Sequence, residues 1–314
     1  MRSSIKIATV RDIPIFIHWS FSLLVMFVVY QSYSEGLSFI HILWSVAFLL
    51  VIFFCVTLHE LGHALAAERY GIDTQDITLL PIGGLARLKA MPEKPLHEFV
   101  VAIAGPLVNV AIAAVLTIYL FLFENFEIGD EAYPTSENFI FFVWAVNLFL
   151  VAFNLIPAFP MDGGRMLRAL LSMRFSKVRA TQVASILGRI LAIIFVLYGL
   201  GLYPGGNFAD GNPFLALIGG FIYLSASREY QYEKLNSKLA GLTVRDLMTT
   251  NLPLPINPGT LKGSGNYKVR ATDELKYIYL VMQQKRLKVL PVIDHDELVG
   301  ILEYEKIKVF IQQK

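Results

Sequence analysis

A chain of 314 residues with 55% in the AVILMFWYC set and only 17% charged is not composed like a soluble domain, in which about a quarter of residues carry charge. The formal charge of +2 offers no basic face for nucleic acid, and the single cysteine, Cys55, excludes an intrachain disulfide and a multi-cysteine metal site. Disordered, collagen-like and coiled-coil classes fail on the same composition, and the chain reads as a membrane protein.

A helix needs about 20 mostly apolar residues to cross a bilayer core. In chain order, the runs that meet or approach this length are Ile13–Tyr30, Phe39–Ala67, Phe99–Phe123, Phe139–Ile156, Ile186–Tyr203 and Phe214–Leu224 with its flanks, six expected spans. Arg2, Lys6 and Arg11 give the first run the look of a signal peptide. No small-residue cleavage site follows it, so an uncut anchor is expected. Between the second and third spans, Ile77–Leu88 alternates apolar residues around the break Pro81-Ile82-Gly83-Gly84, a pattern that can present a strand edge.

Loop charge sets the orientation. Arg69, Arg87, Lys89, Lys94, Arg165, Arg168, Arg174, Lys177 and Arg179 join the N-terminal cations on one side. The alternate loops, Gln31–Ser38, Glu124–Asn138 and Pro204–Pro213, hold no Lys or Arg and carry Glu35, Glu124, Glu127, Asp130, Glu131, Glu137 and Asp210. The positive-inside rule then places both termini in the cytoplasm. After Arg228 the chain turns polar, which divides it into a membrane domain, 1–228, and a small cytoplasmic α/β domain, 229–314. In the latter, Thr272 is placed to cap a helix with Leu275, Ile278, Tyr279 and Met282 on one face. Val289–Ile293 and Leu298–Leu302 read as strands joined by Asp294-His295-Asp296-Glu297. The expected fold is a polytopic α-helical membrane protein with this cytoplasmic appendage.

Ionisable residues inside a span are functional candidates by default. The second span ends in His59-Glu60-Leu61-Gly62-His63, an H-E-x-x-H pattern. Positions i and i+4 share a helix face, so the two histidines can hold one metal, with Glu60 beside them able to take a proton from water. A catalytic zinc commonly has a third protein ligand. The later spans offer Asn109, Asn147 and Asn154, and the run that follows Asn154 contains one carboxylate, Asp162, at the same cytoplasmic depth as the histidines. Helix capping is the competing role for Asp162. His18, His41, His97 and His295 read as interfacial or packing residues, and Cys55 as an inert buried thiol.

At these residues the chain resembles the site-2 protease family of intramembrane metalloproteases, above all the branch with a cytoplasmic CBS domain. The motifs are His59-Glu60-x-x-His63 within Phe54–Gly71, Leu79-Leu80-Pro81-Ile82-Gly83-Gly84, Ala104-Gly105-Pro106 with Asn109, and Asn154–Arg165. The resemblance implies one zinc per chain on His59, His63 and Asp162, Glu60 as general base, and Asn154 assisting the substrate or the oxyanion. The implied reaction is hydrolysis of peptide bonds in or near transmembrane segments of substrate proteins, at a site facing the cytoplasm. Gly105, Pro106 and Asn109 are expected to serve helix packing.

Val244-Arg245-Asp246-Leu247-Met248-Thr249 and Leu290-Pro291-Val292-Ile293 with Leu298-Val299-Gly300-Ile301 look like the halves of a single CBS repeat. Such repeats work in pairs, which implies a homodimer. Adenine nucleotides bind between paired repeats in the family, but Glu303 and Lys306 stand where its ribose-contacting pattern differs, and an insertion with Pro253, Pro255, Pro258, Gly259, Gly263 and Gly265 interrupts the repeat. Dimerisation is therefore favoured over nucleotide sensing. The competing functions are a CBS-regulated channel or transporter, which would not need this metal spacing, and an inactive scaffold, which should lack a motif residue.

Overall fold

The structure, a computed structural model, describes residues 4–90, 92–123, 133–208, 211–250, 267–294 and 297–313. They form two compact units, Met1–Glu229 and Tyr230–Lys314. The first contains β1 (Ser4–Val10), β2 (Ile13–His18), α1 (Phe21–Ser34), α2 (Phe39–Glu68), β3 (Thr74–Leu80), β4 (Gly83–Leu88), α3 (Pro95–Phe123), α4 (Phe139–Asn154), α5 (Asp162–Ser172), α6 (Lys177–Gly199) and most of α7 (Pro213–Leu239). Helices α2, α3 and α6 are long and apolar enough to cross a membrane, whereas α1 and α4 are shorter apolar helices.

The first expected span is corrected. Ile13–Tyr30 is not one helix: Ile13–His18 is a strand, and α1 begins only at Phe21. Burial alternates at the start of the strand, so that Ile13 and Ile15 turn inward onto Leu61 and Ala64 of α2 and Ile77 of β3. Arg11 and Asp12 both adopt positive φ between Val10 and its partner Ile13, the geometry of a tight two-residue hairpin turn. The run Phe214–Leu224 lies within α7, which continues to Leu239 and is not among the helices long and apolar enough to cross a membrane.

The sheet runs β1-β2-β3-β4. β1–β2 and β3–β4 are antiparallel, while β2 and β3 are parallel, with Ile15 opposite Ile77 and Ile17 opposite Leu79. The α1–α2 pair supplies the crossover that a parallel pair requires. Leu79 also joins Phe21 and Phe53, whose rings meet edge to face at 4.7 Å. The sheet thus lies along the end of α2 that carries the H-E-x-x-H turn. β4 forms one edge, and the reversal into it needs Gly83, whose φ is +132°.

Two close approaches set the remaining geometry. Gly62 lets α2 meet α3: a Cβ there would stand 2.8 Å from Val108 Cγ2 and 2.9 Å from the Ala104 carbonyl. Gly163 and Gly164 fold the first turn of α5 onto the preceding loop, where added Cβ atoms would stand 2.3 Å from the Ile156 carbonyl and 2.5 Å from the Ala158 carbonyl carbon.

In the second unit α8 (Leu275–Lys285), β5 (Val289–Asp294), β6 (Glu297–Glu303) and α9 (Tyr304–Gln313) enclose a core that includes Leu239, Leu275, Met282, Leu290, Leu302 and Ile307. Leu275, Ile278, Tyr279 and Met282 are buried together, and the N-cap of α8 is Glu274 rather than Thr272. The strands are antiparallel, with Leu290 opposite Leu302. Thr243 and Asp246 cap each other's backbone, and the Thr243 backbone N–H and hydroxyl hold the Asp246 carboxyl below its ordinary pKa. The insertion of Pro253 to Gly265, together with Glu124, Glu127, Asp130, Glu131, Asp210 and His295, lies outside the described residues.

Candidate metal centre

His59 and His63 stand one turn apart on α2, both buried, their rings edge-on with centroids 4.8 Å apart. Each ring is gripped from behind through Nδ1. His63 donates to the Val101 carbonyl of α3 at 2.7 Å, and His59 donates to Asn109 Oδ1 of α3 at 2.5 Å. The second assignment follows from a chain of amides. Asn147 Nδ2 donates to the Val143 carbonyl at 2.8 Å, which turns Asn147 Oδ1 toward Asn109 Nδ2, also at 2.8 Å, and leaves Asn109 Oδ1 as the acceptor for His59. A carbonyl can only accept, so the neutral rings carry their protons on Nδ1 and present Nε2 lone pairs forward.

Those two Nε2 atoms are 3.1 Å apart, and Asp162 Oδ2 lies 3.1 Å from the first and 3.2 Å from the second. The three residues form a buried cluster able to hold a metal ion. With Nδ1 donating in each neutral ring, two imidazole Nε2 atoms and one carboxylate oxygen converge on one point, an arrangement that a cation stabilises. A tetrahedral zinc with bonds of about 2.0–2.1 Å would space its ligands by roughly 3.3 Å, close to the triangle observed. Two imidazoles and one carboxylate make a three-residue ligand set of the kind found in catalytic rather than structural zinc sites. The residues present fit one zinc.

The competing role of Asp162 as a helix cap is not realised. Met161 is the N-cap of α5, and Asp162 is the first helical residue with its carboxylate turned to the histidines. Gly105 of α3 closes the site, where a Cβ would come within 2.2 Å of His63 Nε2 and 2.7 Å of His59 Nε2. Glu60 is half-buried, and its Oε2 accepts the backbone N–H of Ala86 on β4 at 3.0 Å. Gly84 makes this approach feasible, since a Cβ there would lie 2.7 Å from Glu60 Cγ. Asn154 ends α4 half-buried, and no hydrogen bond among the described residues ties it to the triad.

Three contributors were not legible as such from the sequence. Asn109, expected to serve helix packing, instead orients a histidine, with Asn147 behind it; both are fully buried. Their signal was a polar side chain in an apolar run, which needs a partner but does not name one. Arg168, counted among the cytoplasmic loop charges, is buried on α5 between Glu98 and Glu229. Burial works against its charge, and Glu98 and Glu229 more than offset this, so its pKa is raised. His18 pairs with Ser20, His41 with Ser38, and His97 stacks on Tyr70 at 4.0 Å, all away from the triad. Cys55 is buried against Asn147.

The sequence model of a family described as peptidase family M50 matches residues 47–133 and 125–198, which include the H-E-x-x-H turn and Asp162. A zinc metalloprotease of Methanocaldococcus jannaschii is 36% identical over 260 residues, covering 82% of this chain and 69% of that protein. The solved structure of a site-2 protease from Methanocaldococcus jannaschii superposes with a TM-score of 0.52 at 37% identity, covering 72% of this chain and 95% of that one. Sequence, fold and the His–His–Asp triangle converge: the chain belongs to peptidase family M50 and is a membrane zinc metalloprotease of the site-2 protease type.

Proposed function

We propose that the protein hydrolyses peptide bonds within or beside transmembrane segments of other membrane proteins, with His59, His63 and Asp162 holding one zinc and Glu60 acting as general base. The observation that carries this reading is the buried triangle of His59 Nε2, His63 Nε2 and Asp162 Oδ2. Zinc, when bound there, supplies Lewis-acid polarisation of a carbonyl and lowers the pKa of water toward neutrality. The Nδ1 hydrogen bonds of the histidines keep their Nε2 lone pairs aimed forward. The Ala86 N–H orients one oxygen of Glu60, leaving the other oxygen to take a proton from the attacking water and pass it to the leaving amine. Asn154 polarises or positions the substrate carbonyl, a role supported by its motif position at the end of α4.

A helical substrate hides its carbonyls in its own hydrogen bonds and must unwind first. β4 is paired on one side only, and its outer edge lies against Glu60, which supports capture of the unwound chain by strand addition. The membrane domain, 1–228, crosses the bilayer about six times, with both termini and the active site toward the cytoplasm. The tail, 229–314, forms one CBS-type repeat that pairs with the same repeat of a second chain rather than sensing adenine nucleotides.

The test is zinc content and cleavage of a transmembrane peptide by detergent-purified protein. Wild type is expected to carry near one zinc per chain and to cleave. Glu60→Gln is expected to keep zinc and lose cleavage, and Asp162→Ala to lose both. Absence of zinc from wild type after metal-supplemented purification would overturn the reading, as would full cleavage by Glu60→Gln.

A further inference from the structure

Two elements besides α2 shape the triad. Helix α5 begins with Asp162, and α3 supplies the Val101 carbonyl and Asn109 that orient the histidines. Arg168 joins these two elements. It is 2% exposed, and its Nε and Nη2 each lie 2.6 Å from Glu98 Oε1 in the first turn of α3, three positions before Val101. Its Nη1 donates to Glu229 Oε1 of α7 at 2.6 Å, and the guanidinium lies 5.0 Å from the centre of the Phe159 ring in the loop that precedes Asp162. Lys177, at the start of α6, approaches the other oxygen of Glu98 at 3.8 Å.

Burying charge is costly, and apolar residues of similar volume would often stabilise the same space as well or better. What an apolar cluster does not supply is direction. The guanidinium fork fixes distance and angle to two carboxylates on two different helices, which a single ammonium on a flexible stem does not. We propose that Arg168 is a positioning residue of the metal centre: by bridging Glu98 and Glu229 it seats α5 against α3 and α7, so that Asp162 Oδ2 meets both Nε2 atoms. This rests on the zinc reading of His59, His63 and Asp162.

The experiment compares full-length wild type with Arg168→Met, Arg168→Lys and Glu229→Gln in detergent. Monodispersity and thermal unfolding identify folded protein, competition with a chromophoric chelator gives zinc affinity, and cleavage gives kcat and KM separately. In folded protein, Arg168→Met is expected to weaken zinc binding roughly tenfold or more, the range seen when partners of metal ligands are removed. Arg168→Lys and Glu229→Gln are expected to fall between it and wild type, with kcat reduced and KM nearly unchanged because neither residue belongs to β4, the edge proposed to hold the substrate. Folded Arg168→Met with wild-type zinc affinity and kcat overturns the proposal. If Arg168→Met does not fold, Arg168→Lys and Glu229→Gln decide, and wild-type zinc affinity in both overturns it. Wild type that holds no zinc fails the underlying reading, a result distinguishable from variants that match a zinc-loaded wild type.

Discussion

At the scale of single residues, the metal centre is defined as much by the atoms behind the histidines as by those in front. The Val101 carbonyl is backbone and cannot be mutated away, but the support of His59 is a side chain and can be. Asn109→Leu removes the acceptor from His59 Nδ1 and leaves Asn147 Oδ1 without its donor. The ring is then free to turn or to shift its proton to Nε2, and zinc affinity is expected to fall by about 10- to 100-fold. Asn147→Ala should have the smaller effect, since it frees Asn109 to flip without removing it. Chelator competition measures both, and an Asn109→Leu protein with wild-type affinity would show the amide chain to be packing alone. The ligands themselves were readable from the sequence because a metal demands particular side chains at particular spacing. The amides were not, because which buried carbonyl meets which amide depends on where α2, α3 and α4 cross.

At the scale of elements, the sheet explains how a helical metal site comes to face an extended chain. Ile77–Leu88 was legible as strand material from its alternation and from the Pro81-Ile82-Gly83-Gly84 break. Ile13–His18 was not, because apolar residues on both faces of a short strand look like the start of a span. Only pairing with β3 distinguishes the two, and that pairing joins segments separated by all of α1 and α2. The two sheet edges are not equivalent. β4 touches Glu60, whereas β1 at the opposite edge is exposed along nearly its whole length. Photo-crosslinking residues at Ile82 and Leu85, 80% and 48% exposed, are expected to capture a transmembrane peptide in the inactive Glu60→Gln background, and one at Ile5, 71% exposed, is not. Equal capture at Ile5 would reject strand addition at β4. Bulky substitution at Gly84 is a poorer test, because the added atoms would displace Glu60 itself.

For the molecule as a whole, the distribution of Lys and Arg and the position of the metal site constrain each other. His59, His63 and Asp162 lie at chain positions flanked by Arg69, Arg87, Lys94, Arg165 and Lys177, while Glu35 belongs to a loop without a basic residue. If the positive-inside rule governs this chain, the site opens toward the cytoplasm and draws its water from there. Cys55 is the only cysteine and is buried, so Cys55→Ala provides a background in which single exposed cysteines report sidedness. In intact cells of an expression host, a membrane-impermeant thiol reagent is expected to label Glu35→Cys at once, and Lys94→Cys only after the membrane is permeabilised. Both positions are exposed, so failure to react reflects sidedness rather than burial. Labelling with the opposite pattern would invert the protein and put the metal site on the outer face. Labelling of both in intact cells would place Glu35 and Lys94 on one side together, which is incompatible with α2, a helix of 30 apolar-rich residues, crossing between them.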